Sequence, residues 1–153
     1  MKIRLANKND IEEICKLYNE FFIYNSDQQP QYYKTAIEKG TYPESVVESN
    51  TEDIYVAVET NNIIGLVHMV EAITPPYDCF VQHRYASIID LFVTKNYRNK
   101  GAGGLLLESA KEWAKARRLD YIELNVLTEN KNGIQFYNNQ EFKPVSHIMR
   151  FTL

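Results

Sequence analysis

The chain is short of several things, and each shortage closes a route. Cysteine occurs only twice, at Cys15 and Cys79, with no CxxC pair and no companion histidine at ligand spacing. A disulfide framework is therefore not expected, and a reducing, cytoplasmic setting fits better. Positive charge is in deficit, with a formal net charge of −3. Proteins held on nucleic acid by phosphate contacts usually show a basic face, so that class is disfavoured. Apolar runs are short: none approaches the ~18 residues that span a bilayer. Met1-Lys-Ile-Arg-Leu5 lacks the apolar stretch of a secretion signal. Histidine is scattered at His68, His83 and His147, which leaves no metal-ligand cluster and no Ser/His/Asp or Cys/His nucleophile set. His68 in particular reads as a satisfied structural residue. No repeat or low-complexity segment is present.

What is present is an ordinary globular composition, 44% apolar and 24% charged. A length of 153 residues suits one domain covering 1–153. Lys2–Ala6 reads as a first strand. Ile11, Ile14, Cys15, Tyr18, Phe21 and Phe22 recur at helical spacing, which predicts a helix over residues 10–22, ended by Asn25–Pro30. A short helix is expected at Gln31–Lys39 and another helical turn within Pro43–Asn50. Asp53–Glu59 and Ile63–Ala72 read as a hairpin around Asn61-Asn62. Tyr85–Thr94 is apolar on both faces, as a central strand requires. A helix follows from Gly103 to about Arg118, with Leu106, Leu107, Ala110, Trp113 and Ala114 on one side. Tyr121–Leu127 is a further strand, Asn130–Asn139 a short helix, and Phe142 onward one more strand or strand pair. This order predicts a mixed sheet with helices on both sides.

The most informative stretch joins the central strand to the following helix. Arg98, Asn99, Lys100, Gly101, Ala102, Gly103 and Gly104 form a basic, glycine-rich turn, and no acidic residue intervenes between Asp90 and Glu108. Such a turn leaves backbone N–H groups uncovered at a helix N-terminus, where the dipole adds about half a positive charge. A diphosphate fits that chemistry. The dinucleotide fingerprint fails because Leu106 stands where its third glycine belongs, and no Walker A lysine follows.

Arg98-x-x-Gly101-x-Gly103, after the strand Ile89–Val93, resembles the acetyl-CoA-binding signature of the GCN5-related N-acetyltransferase (GNAT) family. Asn130-Lys-Asn-Gly-Ile-Gln-Phe-Tyr137, followed by Phe142, is similar to that family's second motif. Two departures stand out: Gly133 replaces an alanine and Glu141 replaces a glycine that would close the helix in a left-handed turn.

The resemblance implies an α/β fold with a mostly antiparallel sheet of about six to seven strands flanked by helices. It implies acetyl-CoA as acyl donor and direct transfer to an amine, a small-molecule amine first and a protein or peptide amine as the alternative. A non-catalytic acyl-CoA sensor is the remaining alternative. It implies that the backbone of Leu91, Phe92 and Val93 holds the coenzyme arm, with the 98–104 turn on the pyrophosphate. Asn130 would bind the arm and Tyr137 would protonate the leaving thiolate. Asp90, an acid inside an apolar strand, and Glu71 are the candidate bases. Tyr24, Tyr32, Tyr33, Tyr42, Tyr77 and Tyr85 are candidates for an aromatic acceptor pocket. A homodimer is implied by resemblance only, and neither membrane nor nucleic acid is an expected partner.

Overall fold

Alternation at Ile54, Val56 and Val58, followed after Asn61-Asn62 by the largely apolar run Ile63–Val70, produces the longest hairpin of the chain. A computed structural model describes all residues from Met1 to Leu153. In it, β2 (Glu52–Glu59) pairs antiparallel with β3 (Asn62–Ile73). Thr60 and Asn61 both adopt positive φ, 48° and 65°, the backbone a tight hairpin of this hand requires. β1 (Lys2–Leu5) adds to the outer edge of β2, and β4 (Arg84–Val93) to the other side of β3, both antiparallel. β5 (Ile122–Leu124) then pairs parallel with β4. The single sheet has five strands in the order β1-β2-β3-β4-β5.

The sheet is therefore mixed and mostly antiparallel, as expected, with fewer strands than six to seven. The missing element is the last one. Residues 143–153 form no strand, and Val145, Ile148, Met149 and Phe151 stand exposed. Their apolar and β-branched character is strand-like, but without a hydrogen-bonding neighbour it makes no strand. The helix expected at Gln31–Lys39 is also absent. The preceding helix α1 (Ile11–Gln28) instead continues through Asn25-Ser-Asp, because only Pro30 stops it. The helical turn expected after Pro43 is α2 (Thr41–Val47).

Helices cover both faces. On one, α3 (Ala102–Ala116) lays Leu106, Leu107, Ala110 and Trp113 against Val67, Met69, Ile88 and Val93. On the other, Ile14, Leu17 and Tyr18 of α1 and Val46 of α2 cover Ile54, Val56, Leu66 and Phe92. α4 (Lys131–Asn139) follows β5 in the chain and sets Phe136 and Tyr137 against the α3-side core. No helix is long and apolar enough to cross a membrane.

Two helices end alike. At the end of α4, Phe142 N–H donates to Tyr137 O and Glu141 N–H to Asn138 O, with Glu141 at φ 69°. The Tyr137 and Phe142 rings meet 5.8 Å apart. This is a Schellman cap, the left-handed closure that a glycine would make without strain. α3 ends the same way, with Arg118 at φ 56° and Leu119 N–H donating to Ala114 O.

Candidate active site

The site begins at an irregularity in β4. Met69 pairs with Ile88 and His68 with Asp90, so one step along β3 spans two along β4. Ile89 is the extra residue, a β-bulge. Without it, Ile88 and Asp90 would share a face. With it, Ile88 enters the α3-side core and Asp90 turns to the α1/α2 side. Pairing with β5 also stops at Ile88. Beyond that point β4 and β5 diverge, and the segment from Ile89 to Val93 has no strand neighbour on that side. An open strand edge of this kind offers backbone groups to a ligand.

The basic turn lies at the far end of that edge. Asn99 and Gly101 adopt φ of 58° and 89°, and the N–H groups of residues 99–104 find no backbone acceptor within the protein. Successive N–H groups in such a turn, feeding a helix N-terminus, make an anion-binding concavity. A Cβ at Gly104 would meet nothing within 4 Å, so the backbone is uncovered there. Lys100 remains beside the turn, with its ammonium 5.2 Å from the Tyr97 ring centre. Arg98 does different work. Its Nε donates to Val93 O at 2.8 Å and its guanidinium lies 4.4 Å from the Tyr24 ring centre, so it ties the turn to the strand and to α1. The free N–H array, more than the arginine charge, fits a diphosphate.

Asn130 starts α4 as its N-cap, its Oδ1 accepting from Gly133 N–H at 2.9 Å and from Tyr24 Oη–H at 3.1 Å. A Cβ at position 133 would fall 2.5 Å from Asn130 Nδ2. Glycine at 133 thus makes room for this folded-back cap, which gives the departure from the family motif a physical reason.

Asp90 collects the remaining polar groups. Tyr18 Oη donates to its Oδ2 at 3.2 Å, and His68 Nδ1 lies 3.9 Å from the same oxygen. Tyr42 Oη is 2.7 Å from His68 Nδ1, and His68 Nε2 is 3.0 Å from Glu52 Oε2. Burial first, and then the Asp90 charge, raises the pKa of both Tyr18 and Tyr42. The same two causes, in the same order, push the Tyr137 phenol up to about 12. Tyr137 itself packs on the α3-side core, with its ring 5.2 Å from that of Phe136.

Among the residues singled out by sequence, the structure brings together Asp90, Leu91, Phe92, Val93, the 98–104 turn, Asn130, Tyr137, Tyr24 and Tyr42. It does not bring Glu71 there. That carboxylate is held by Arg84 and Arg117, opposite Ala86 in the ladder. Tyr85 stacks on Tyr121 at 4.9 Å, Tyr77 packs on Phe80 in the hairpin loop, and Tyr32 lies under Arg150. Sequence reading missed Tyr18 and Glu52 and set His68 aside. Tyr18 carried only a core signal, and the bulge that faces His68 with Asp90 has no local signature.

The comparisons with known proteins agree with this geometry. The family model for the Acetyltransferase (GNAT) family matches residues 11–142. An uncharacterized N-acetyltransferase of Bacillus subtilis, YhfO, is 26% identical over 156 aligned positions, covering 100% of this chain and 97% of that protein. A crystal structure of a BH1408 mutant from Bacillus halodurans superposes with a TM-score of 0.94 at 23% identity, covering 100% of this chain and 99% of the other. The aminoglycoside N-acetyltransferase AAC(6')-Iy, solved in complex with CoA, superposes with a TM-score of 0.76 at 13% identity over 99% of this chain and 98% of its own. A glycine turn with free N–H groups, a β4 edge left open by a bulge and a family match over most of the length have one reading: this chain belongs to the GNAT acetyltransferase family.

Proposed function

We propose that the protein is an N-acetyltransferase that takes acetyl-CoA and passes its acetyl group directly to the primary amine of a small molecule. The observation that carries this reading is the open edge of β4, which contains Asp90 and leads to the free N–H turn. Bound acetyl-CoA supplies the acyl group as a thioester. The N–H groups of residues 99–104 and Lys100 suit its pyrophosphate, and the backbone of Leu91–Val93 with Asn130 suits its arm.

Asp90 holds the acceptor as an ammonium. It is a half-buried carboxylate with one hydroxyl donor, and a cation is the partner that lowers its burial cost most. Tyr137 then gives its phenolic proton to the departing sulfur. Its pKa of about 12 in the free protein makes it a weak acid. Burial is the larger cause of that shift and the Asp90 charge the smaller, and an ammonium on Asp90 offsets only the second. Glu71 has no part, since two guanidinium groups hold it.

The tyrosines around Asp90 and the fold shared with aminoglycoside N-acetyltransferases support a small cationic acceptor. The exposed Val145, Ile148, Met149 and Phe151 support a homodimer through the C-terminal segment, and two free cysteines support a reducing, cytoplasmic setting.

The test is acetyl-CoA consumption across a panel of polyamines, aminoglycosides and short peptides. Turnover of a small amine is expected. Turnover of peptides alone moves the acceptor to a peptide amine, and CoA binding without any turnover leaves a sensor. Tyr137→Phe should lower kcat about 100-fold, the lower range for loss of a general acid. Its affinity for CoA by calorimetry should be unchanged.

A further inference from the structure

His68 is 1% exposed, and nothing in the acetyl-transfer reading uses it. A buried imidazole is costly unless both nitrogens are satisfied, and here both are, by side chains and not by backbone. The partners fix the tautomer. A carboxylate only accepts, so Glu52 places the ring proton on Nε2. Nδ1 is then left with its lone pair and takes the Tyr42 O–H at 2.7 Å. The order is carboxylate, imidazole, hydroxyl, the arrangement by which a weakly acidic hydroxyl hands its proton to a ring as it accepts another. The two ends differ. Glu52 reaches the outer part of the sheet with its side chain 30% exposed, while Tyr42, 37% exposed, opens to the Asp90 side.

Resting on the acetyl-transfer reading, we propose that Tyr42, His68 and Glu52 form the base relay that deprotonates the acceptor ammonium held at Asp90. The ammonium N–H bond breaks as its proton moves to Tyr42 Oη. The Tyr42 proton moves to His68 Nδ1, and the neutral amine keeps the electron pair with which it attacks. The positive charge has passed from the amine to the imidazole, between the Glu52 carboxylate at 3.0 Å and Asp90 at 3.9 Å. After product leaves, Nδ1 returns its proton through Tyr42 to water, which restores the starting tautomer. Tyr42 is the residue that touches substrate, and His68 and Glu52 act through it.

The ionisable groups around the ring come from every element packed on it: Glu52 from β2, Asp90 from β4, Tyr42 from α2 and Tyr18 from α1. Glu38, before α2, acts on Tyr42 through space, and Tyr137 of α4 lies near Asp90. The relay predicts a pH signature. Tyr42→Phe and His68→Gln should each lose about 100-fold in kcat/KM at neutral pH, the lower range for a general base. The loss should shrink as pH approaches the pKa of the amine, where bulk water removes the proton. A packing role would lower activity by the same factor at every pH, and that result would overturn the proposal.

Glu52→Gln, at a half-exposed position, is the milder variant and should show the same pH trend with a smaller loss. Two readouts do not depend on turnover. Nitrogen-15 NMR of the histidine rings should find His68 in the Nε2–H form, and Tyr42→Phe should move the Nδ1 resonance; an Nδ1–H ring sinks the relay. Calorimetry should give wild-type CoA affinity for all three variants. Absence of turnover by the wild type on any amine would count against the acetyl-transfer reading itself, whereas the ring tautomer still decides the assignment of His68.

Discussion

On the α3 side of the sheet, Val67, Met69, Ile88 and Val93 meet Leu106, Leu107 and Ala110. On the α1/α2 side, the same two strands send His68 and Asp90 toward Tyr18 and Tyr42. The first face is filled by side chains that ask only to be excluded from water. The second holds groups that are stable only with partners, each partner fixed by another. One layer of backbone thus separates an apolar face from a face of mutually partnered polar groups. The lesson is a difference in what side chains need: the α3-side residues named here need only exclusion from water, whereas His68 and Asp90 need polar partners.

Three substitutions test that difference. The largest stability effect is expected for Leu106→Ala, which removes a fully buried side chain from the α3 face. It should cost about 3 kcal/mol in chemical denaturation, the usual range for a core leucine. If the difference holds, the folded fraction keeps wild-type KM and kcat; a changed pH profile would show that the faces are coupled.

Tyr18→Phe should behave in the opposite sense. It removes only the hydroxyl that donates to Asp90. Stability should fall by about 1 kcal/mol or less, since one hydrogen bond is lost and Asp90 is not sealed from water. Activity should fall about 10-fold, equivalent to ~1.4 kcal/mol in the barrier. A large loss of stability with intact turnover would make Tyr18 a core residue only.

The smallest effect lies outside both faces and serves as a control. Glu141 occupies the left-handed position of the α4 cap at φ 69°. Glu141→Gly should raise stability by about 0.5–1 kcal/mol, because glycine adopts that backbone without the Cβ penalty. Thermal unfolding checks it, and turnover should stay as it was.

Much of this was legible in the sequence. The alternation at Ile54–Val58 and the helical spacing of Leu106–Ala114 set which residues face inward, because periods of two and of about 3.6 are local properties of backbone geometry. The uncovered turn at 99–104 was legible for the same reason, since Gly101 adopts a left-handed φ and Gly104 leaves its backbone open for lack of a Cβ. Asn130 announced a helix start, and the substitution of Glu141 for glycine marked a left-handed turn that the chain keeps. Failures came where a local pattern needed a distant partner. The C-terminal segment has the apolar character of a strand and pairs with nothing. Glu71 carried the same acidic signal as Asp90, yet cross-strand and α3-end arginines hold it.

The sequence by itself determined most of the elements, the apolar faces and the open glycine-rich turn. Tertiary structure alone decided which polar groups meet. One extra residue at Ile89 shifts the ladder and sets Asp90 opposite His68. Packing of α1 and α2 then brings Tyr18 to Asp90 across 72 positions and Tyr42 to His68 across 26. Hydrogen bonds over such separations are fixed by register and by the way helices settle on a sheet, and neither leaves a mark in the residues next door.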